Sequence, residues 1–221
     1  ILALSAIALF SALGVWQLGR ADEKRAMARS FTAGGPAIDW PSLPAVAPRF
    51  QRVMLRGYYD AEHQFLLDNM SHESVAGVQV LTPLVLDNGK AVLVNRGWVP
   101  FSGYRDRLPD VSLTDTDQPV TVTGRVDTLP VEGMASGHSA PPAGAAWPKV
   151  TSFPHTGEIG AALGHPVEER QVLLDPSMPL APDLGRPGVY IAGVDAIAHR
   201  LITTALNELT GSAGNAGPVT G

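Results

Sequence analysis

Residues 1–18 (ILALSAIALFSALGVWQL) pass without a formal charge, and their one strongly polar side chain, Gln17, sits at the far end beside Trp16. As a helix this run covers roughly 27 Å, close to the hydrocarbon core of a bilayer at about 30 Å. Trp16 falls where an interfacial aromatic sits, with Arg20 just beyond it. The pattern predicts a transmembrane helix over residues 1–20, with Trp16, Gln17 and Arg20 at the membrane interface. The rivals are a buried helix and a signal-peptide core, for which Ser11, Ala12 and Gly14 supply small residues, but such cores run about 7–15 residues. Because the chain opens on Ile1, the span is expected to extend upstream.

The pattern then changes. Residues 21–30 (ADEKRAMARS) are helix-compatible, so the helix can run on into water until Gly34-Gly35-Pro36 stops it. Residues 39–48 (DWPSLPAVAP) read as an extended, proline-punctuated stretch, making 21–49 a helical extension and linker. From residue 50 the spacing is that of strands. RVMLRGYY (52–59) alternates in part, and QFLL (64–67) is a short apolar run. VQVLTPLVL (78–86) and AVLVNRGWV (91–99) flank Asp87-Asn88-Gly89-Lys90, a hairpin signal, because both central positions of a type I′ turn want φ > 0. Pro83 points to an edge or a bulge in the first of these strands. PVTVTGRVD (119–127) alternates cleanly and QVLL (171–174) gives a last short strand, while residues 133–148 read as a loop and 158–163 as a turn or two of helix.

Several short strands with turn signals and few helices argue for a mainly β fold. The expected architecture is an antiparallel sheet or small barrel over residues 50–187, behind an N-terminal transmembrane helix. Residues 188–221 form an atypical tail, read as poorly ordered. Its stretch 189–209 is helix-compatible but carries Asp195, His199, Arg200 and Glu208. A central charge costs about 2.5–3.5 kcal/mol in a membrane helix, so the tail is not expected to span.

Composition narrows the chemistry. A net charge of −5 gives no electrostatic footprint for nucleic acid. The absence of cysteine removes disulfides, thiolate metal sites, iron–sulfur clusters and cysteine nucleophiles. No phosphate-cradling glycine motif and no G-x-S-x-G elbow occurs, and Asp68, Ser71 and His72 lack a framework that would make them a catalytic set, so no enzyme is expected. The sequon Asn69-Met70-Ser71 matters only in a eukaryotic secretory setting. The six histidines (His63, His72, His138, His155, His165 and His199) show no i,i+4 ligand pair, so no metal site is expected.

The pieces LGVWQLGRADEK (13–24), RGYYD (56–60), VLVNRGWVP (92–100), VTGRVD (122–127) and LLDPSMP (173–179), in this order, resemble the surfeit locus protein 1 family over residues 1 to about 187. The resemblance implies a membrane-anchored assembly factor for cytochrome c oxidase, its β-rich domain lying between two membrane helices on the periplasmic or intermembrane-space side. It places the chain in the inner (plasma) membrane of a bacterium, or the mitochondrial inner membrane of a eukaryote. The implied partners are the oxidase catalytic subunit and haem a, the latter delivered or stabilised. Arg20, Lys24, Arg25 and Arg29 pull the other way, toward the cytoplasm, under the positive-inside rule. Past Arg186 the family's second membrane helix, opened by a His with Tyr-Ala and Trp-Phe behind it, has no counterpart, and His199 is followed by Arg-Leu-Ile.

The candidate cofactor contacts are Arg96, for a haem propionate or an acidic partner, Trp98, against the macrocycle or a partner surface, and His199. The bland reading of the first two is structural: Arg96 in a salt bridge, Gly97 permitting a bulge, Trp98 in the core. Gly57-Tyr58-Tyr59-Asp60 reads mostly as a strand end and turn. Pro100 stops the strand just past Arg96 and Trp98, which predicts an exposed contact patch there, mattering more to function than to stability. The alternative function is a membrane-anchored β-domain that binds proteins without a cofactor.

Overall fold

The structure, a computed structural model, describes residues 2–33, 35–72, 75–101, 107–113, 116–130, 144, 146–175 and 178. The tail after residue 178, His199 included, lies outside them.

Helix α1 (Leu2–Ala33) is one uninterrupted helix. It is long and apolar enough to cross a membrane, and its apolar side chains are exposed, Leu4 at 72% and Phe10 at 68%. At 1.5 Å per residue it exceeds the roughly 30 Å hydrocarbon thickness, so its polar C-terminal third extends past any such span.

The second unit is built of β1 (Ile38–Asp39), a 3₁₀ turn (Trp40–Ser42), β2 (Arg52–Tyr59), β3 (Phe65–His72), β4 (Val75–Leu86), β5 (Ala91–Pro100), β6 (Val120–Thr128), β7 (Lys149–Thr151), α2 (Thr156–Leu163) and β8 (Val167–Leu174). The sheet runs β1-β2-β6-β8-β5-β4-β3-β7, and β2 pairs with β4 as well. That extra pairing closes β2, β4, β5, β8 and β6 into a five-stranded Greek-key barrel, leaving β1, β3 and β7 as additions. Such an order, with the third and fifth barrel strands parallel, is the OB-type arrangement. The fold is mainly β and barrel-like, as the strand pattern predicts. It is not purely antiparallel, since β5–β8, β3–β7 and β1–β2 pair parallel.

Every barrel strand sends alternate residues inward. Val53 and Leu55, Leu84, Val92 and Val94, Val122 and Val126, and Val172 and Leu174 form one buried cluster, joined by Trp40. The outer face of β5 is covered too. Leu93 packs with Phe65, Leu67, Leu81 and Ile159 of α2, so β5 is buried on both faces. Gly164, in the left-handed region at φ 71°, ends α2 and donates its N–H to the Gly160 carbonyl at 2.9 Å.

Two local expectations are corrected. The β4–β5 turn is not type I′, because Asn88 is not at positive φ and only Gly89 is, at 76°. Gly89 N–H donates to Leu86 O and Leu86 N–H to Lys90 O, each at 2.9 Å, which makes a type I turn followed by a glycine bulge. Nor is Pro83 at a sheet edge. It pairs with Leu93 where the other edge of β4 passes from β3, paired through Leu81, to β2, paired from Leu84. Its missing N–H falls at that handover, and its carbonyl accepts from Asp60 N–H at 2.9 Å.

Candidate functional site

Three places among the described residues hold the candidate side chains: a polar cluster at one end of the barrel, a cleft at its seam, and the stretch of α1 from Trp16 to Arg20.

The polar cluster is centred on Arg96. The β4–β5 ladder pairs Leu81 with Asn95 and then Val80 with Gly97, so Arg96 is the extra residue of a bulge, with Gly97 at φ 131°. The bulge turns Arg96 toward the barrel interior, where it is 1% exposed. Its Nη1 donates to Gln64 Oε1 at 2.8 Å, to Val111 O at 3.0 Å and to Thr82 Oγ1 at 3.3 Å. Gln64 Nε2 donates to the same Val111 carbonyl at 3.0 Å and to Ala61 O at 3.0 Å. Beside this cluster, burial pushes the Tyr59 phenol up to about 12, against the opposing pull of the Arg96 charge. Asn95 builds a second layer, donating from Nδ2 to Gln79 Oε1 at 2.9 Å and accepting from Gly97 N–H at 3.1 Å.

The expected exposed patch at Arg96 and Trp98 is therefore corrected. Trp98 is 6% exposed, its ring lying against Gly77 of β4 and its Nε1 donating to Met70 O at 3.5 Å. The cause is that β5 does not stop at a free rim. The first half of β4 continues alongside it, with β3 on the far side of β4, covering residues that alternation alone leaves open. Both side chains are used within the fold, Arg96 on Gln64, Thr82 and Val111 and Trp98 on Gly77 and Met70. Gln64, Thr82 and Val111 escape a sequence reading, since Gln64 reads as the polar start of an apolar run and the Val111 contribution is a backbone carbonyl. A buried Arg at a bulge gives no linear signal of its partners.

The seam cleft lies where β2 changes partner. One edge of β2 pairs with β1 at Val53 and Met54 and with β4 from Gly57, so Leu55 and Arg56 pair only on the β6 side. A cleft of about 640 Å³ opens there, walled by Trp40, Met54 and Leu86 and edged by Asp39, Arg56 and Asp87, a volume within the roughly 300–1,000 Å³ of ligand clefts. Asp39, Arg56 and Asp87 are exposed. Asp39 precedes the 3₁₀ turn but its carboxylate makes no capping bond. Met54 is 41% exposed and Tyr58, next but one beyond Arg56 on the same outward face of β2, is 45% exposed.

Among the described histidines, His63 is held by Asp60, its Nδ1 2.8 Å from Oδ1, with its ring edge-on to Trp147. No group of three His, Cys, Asp or Glu side chains suited to a metal ion occurs among the described residues. On α1, Trp16 is 53% exposed, Gln17 and Arg20 are exposed as well, and the Arg20 guanidinium lies 5.5 Å from the Trp16 ring centroid, one helical turn on.

The SURF1 family model matches residues 4–204, so the likeness runs on past Arg186 and into the tail. A SURF1-like protein of Rickettsia bellii (strain RML369-C) is 31% identical over 129 residues, which are 56% of this chain and 50% of that relative. The matched region thus spans half the length of that curated relative. On the family match, extending across nearly its whole length, the chain belongs to the SURF1 family.

Proposed function

We propose that this protein is a membrane-anchored assembly factor for cytochrome c oxidase, not an enzyme. The observation that carries the reading is the SURF1 family match over residues 4–204 on a chain that joins a membrane-length helix to a barrel. α1 is the anchor, with Trp16, Gln17 and Arg20 at the interface, in the inner (plasma) membrane of a bacterium or the mitochondrial inner membrane of a eukaryote. The barrel lies on the periplasmic or intermembrane-space side. Its partner is the oxidase catalytic subunit, and its work is to stabilise that subunit while haem a is installed. The buried Arg96 and Trp98 take no direct part in holding haem; a ligand on this chain would come from elsewhere, with His199 the candidate from the sequence.

A second reading, protein binding without any cofactor, is favoured by the seam cleft, which offers charges of both signs and apolar walls. One experiment separates the two. A strain lacking the gene should lose assembled oxidase and regain it with the full-length chain. The purified chain should carry a haem absorption band under the first reading and none under the second. Normal oxidase in the deletion strain would overturn both.

A further inference from the structure

We infer that the seam cleft is the docking site for a partner polypeptide segment in which a basic side chain stands beside a large apolar one. The inference rests on the assembly-factor reading and gives that partner a place and a chemistry. Three observations carry it.

The first is the lining. Trp40, Met54 and Leu86 make apolar walls, and Asp39 and Asp87 place two carboxylates on the rim against the single guanidinium of Arg56. Two acidic groups and one basic group around an apolar floor complement a chain of mixed character, dominated by a cation, with an acidic group or a carbonyl left for Arg56. A simple anion meets two like charges there, and an anionic lipid surface meets the same repulsion.

The second is that these groups are not used up by the fold. Asp39 stands at the N-cap of the 3₁₀ turn without capping it, and Asp87 is exposed at the hairpin, where Asn88, not Asp87, accepts the Lys90 N–H at 3.0 Å. The third is continuity. Met54 and Tyr58, 41% and 45% exposed, extend the apolar wall along the outward face of β2 on either side of Arg56. Tyr, Met and Arg are the residue types enriched in protein interfaces. The protein's net charge of −5 also favours the approach of basic segments.

The test uses the full-length chain in detergent micelles and fluorescein-labelled 15-residue peptides tiling the extramembrane loops of the oxidase catalytic subunit, with binding read by fluorescence anisotropy. At least one net-positive tile should bind. Asp39→Lys and Asp87→Lys should each weaken it at least fivefold, and Met54→Glu at least tenfold, with melting temperatures unchanged because all three side chains are exposed. Raising salt should weaken the wild-type complex. The inference is overturned if no tile binds, if the bound tiles are net acidic, or if the three variants bind as the parent does. It is equally overturned if Met54→Glu acts only by converting a dimer of this chain to monomer. Absence of tile binding in a protein whose deletion still abolishes oxidase sinks the docking site alone, whereas normal oxidase on deletion sinks the functional reading beneath it.

Discussion

Arg96 and Gln64, 32 residues apart, meet inside the barrel and converge on one acceptor: Arg96 Nη1 donates to Gln64 Oε1 at 2.8 Å, and both residues donate to the carbonyl of Val111 at 3.0 Å. The pair ties the segment around Val111, whose side chain is 4% exposed, to the end of the barrel. An arginine that holds a backbone segment in place from within is a structural cation.

Arg96→Met should therefore destabilise the domain by about 1.5–3 kcal/mol, the worth of hydrogen bonds to a charged group, because Val111 O and Gln64 Oε1 keep their donors Gln64 Nε2 and Thr82 Oγ1 but lose the guanidinium. Chemical denaturation of the parent and variant measures this. A variant within about 0.5 kcal/mol of the parent, the range of ordinary surface substitutions, would contradict the buried network.

Gly77→Ala should cost about as much. A Cβ there would strike the Val99 carbonyl and come within 2.6 Å of the Trp98 indole. Because one of the two obstacles is backbone, adding Trp98→Leu should not restore stability. Rescue by that second change would mean that only the ring stood in the way.

The Tyr59 phenol supplies a pH dependence. Its pKa is raised to about 12 by burial, so the folded protein keeps the proton after the unfolded chain has released it near 10. Its contribution is fully present below pH 10 and is lost as pH rises from 10 to about 12. Melting temperature should fall over that interval, and Tyr59→Phe should flatten the fall. An identical alkaline profile in the two proteins would remove Tyr59 as its source.

At the hairpin, Gly89→Ala should cost about 1 kcal/mol, because φ 76° is disfavoured for a residue with a Cβ, and Gly89→Asn should cost less. Thermal unfolding of the two variants side by side decides it. Equal stability of Ala and Gly here would argue against the glycine bulge.

Local chemistry was legible in the linear chain, and contacts between distant segments were not. The uncharged run through Leu18 announces α1, the Asn88-Gly89 pair locates the β4–β5 hairpin, and alternation marks β2 and β6. The pair does not fix the turn type, because Asn-Gly also suits a three-residue loop in which the glycine alone needs positive φ. β7, three residues long, and the parallel pairing of β8 with β5 follow from tertiary contacts that leave no period in the sequence. The same holds for the site. Arg96 and Trp98 were visible as unusual residues, but their burial depends on β3 and β4 lying beside them. The cleft joins Asp39, Arg56 and Asp87 from three separate segments.

The parallel β5–β8 pair also sets a timetable for the growing chain. β5 is complete at Pro100, yet the partner that closes the barrel includes Gln171, 76 residues after Asn95. At a synthesis rate of about 5–20 residues per second, that separation corresponds to roughly 4–15 s. Throughout that interval the edge of β5 that takes β8, with Val92, Leu93 and Val94 beside it, waits without its strand. Premature termination anywhere in the interval leaves an apolar strand with an open edge, the feature that most readily recruits a second chain into a sheet.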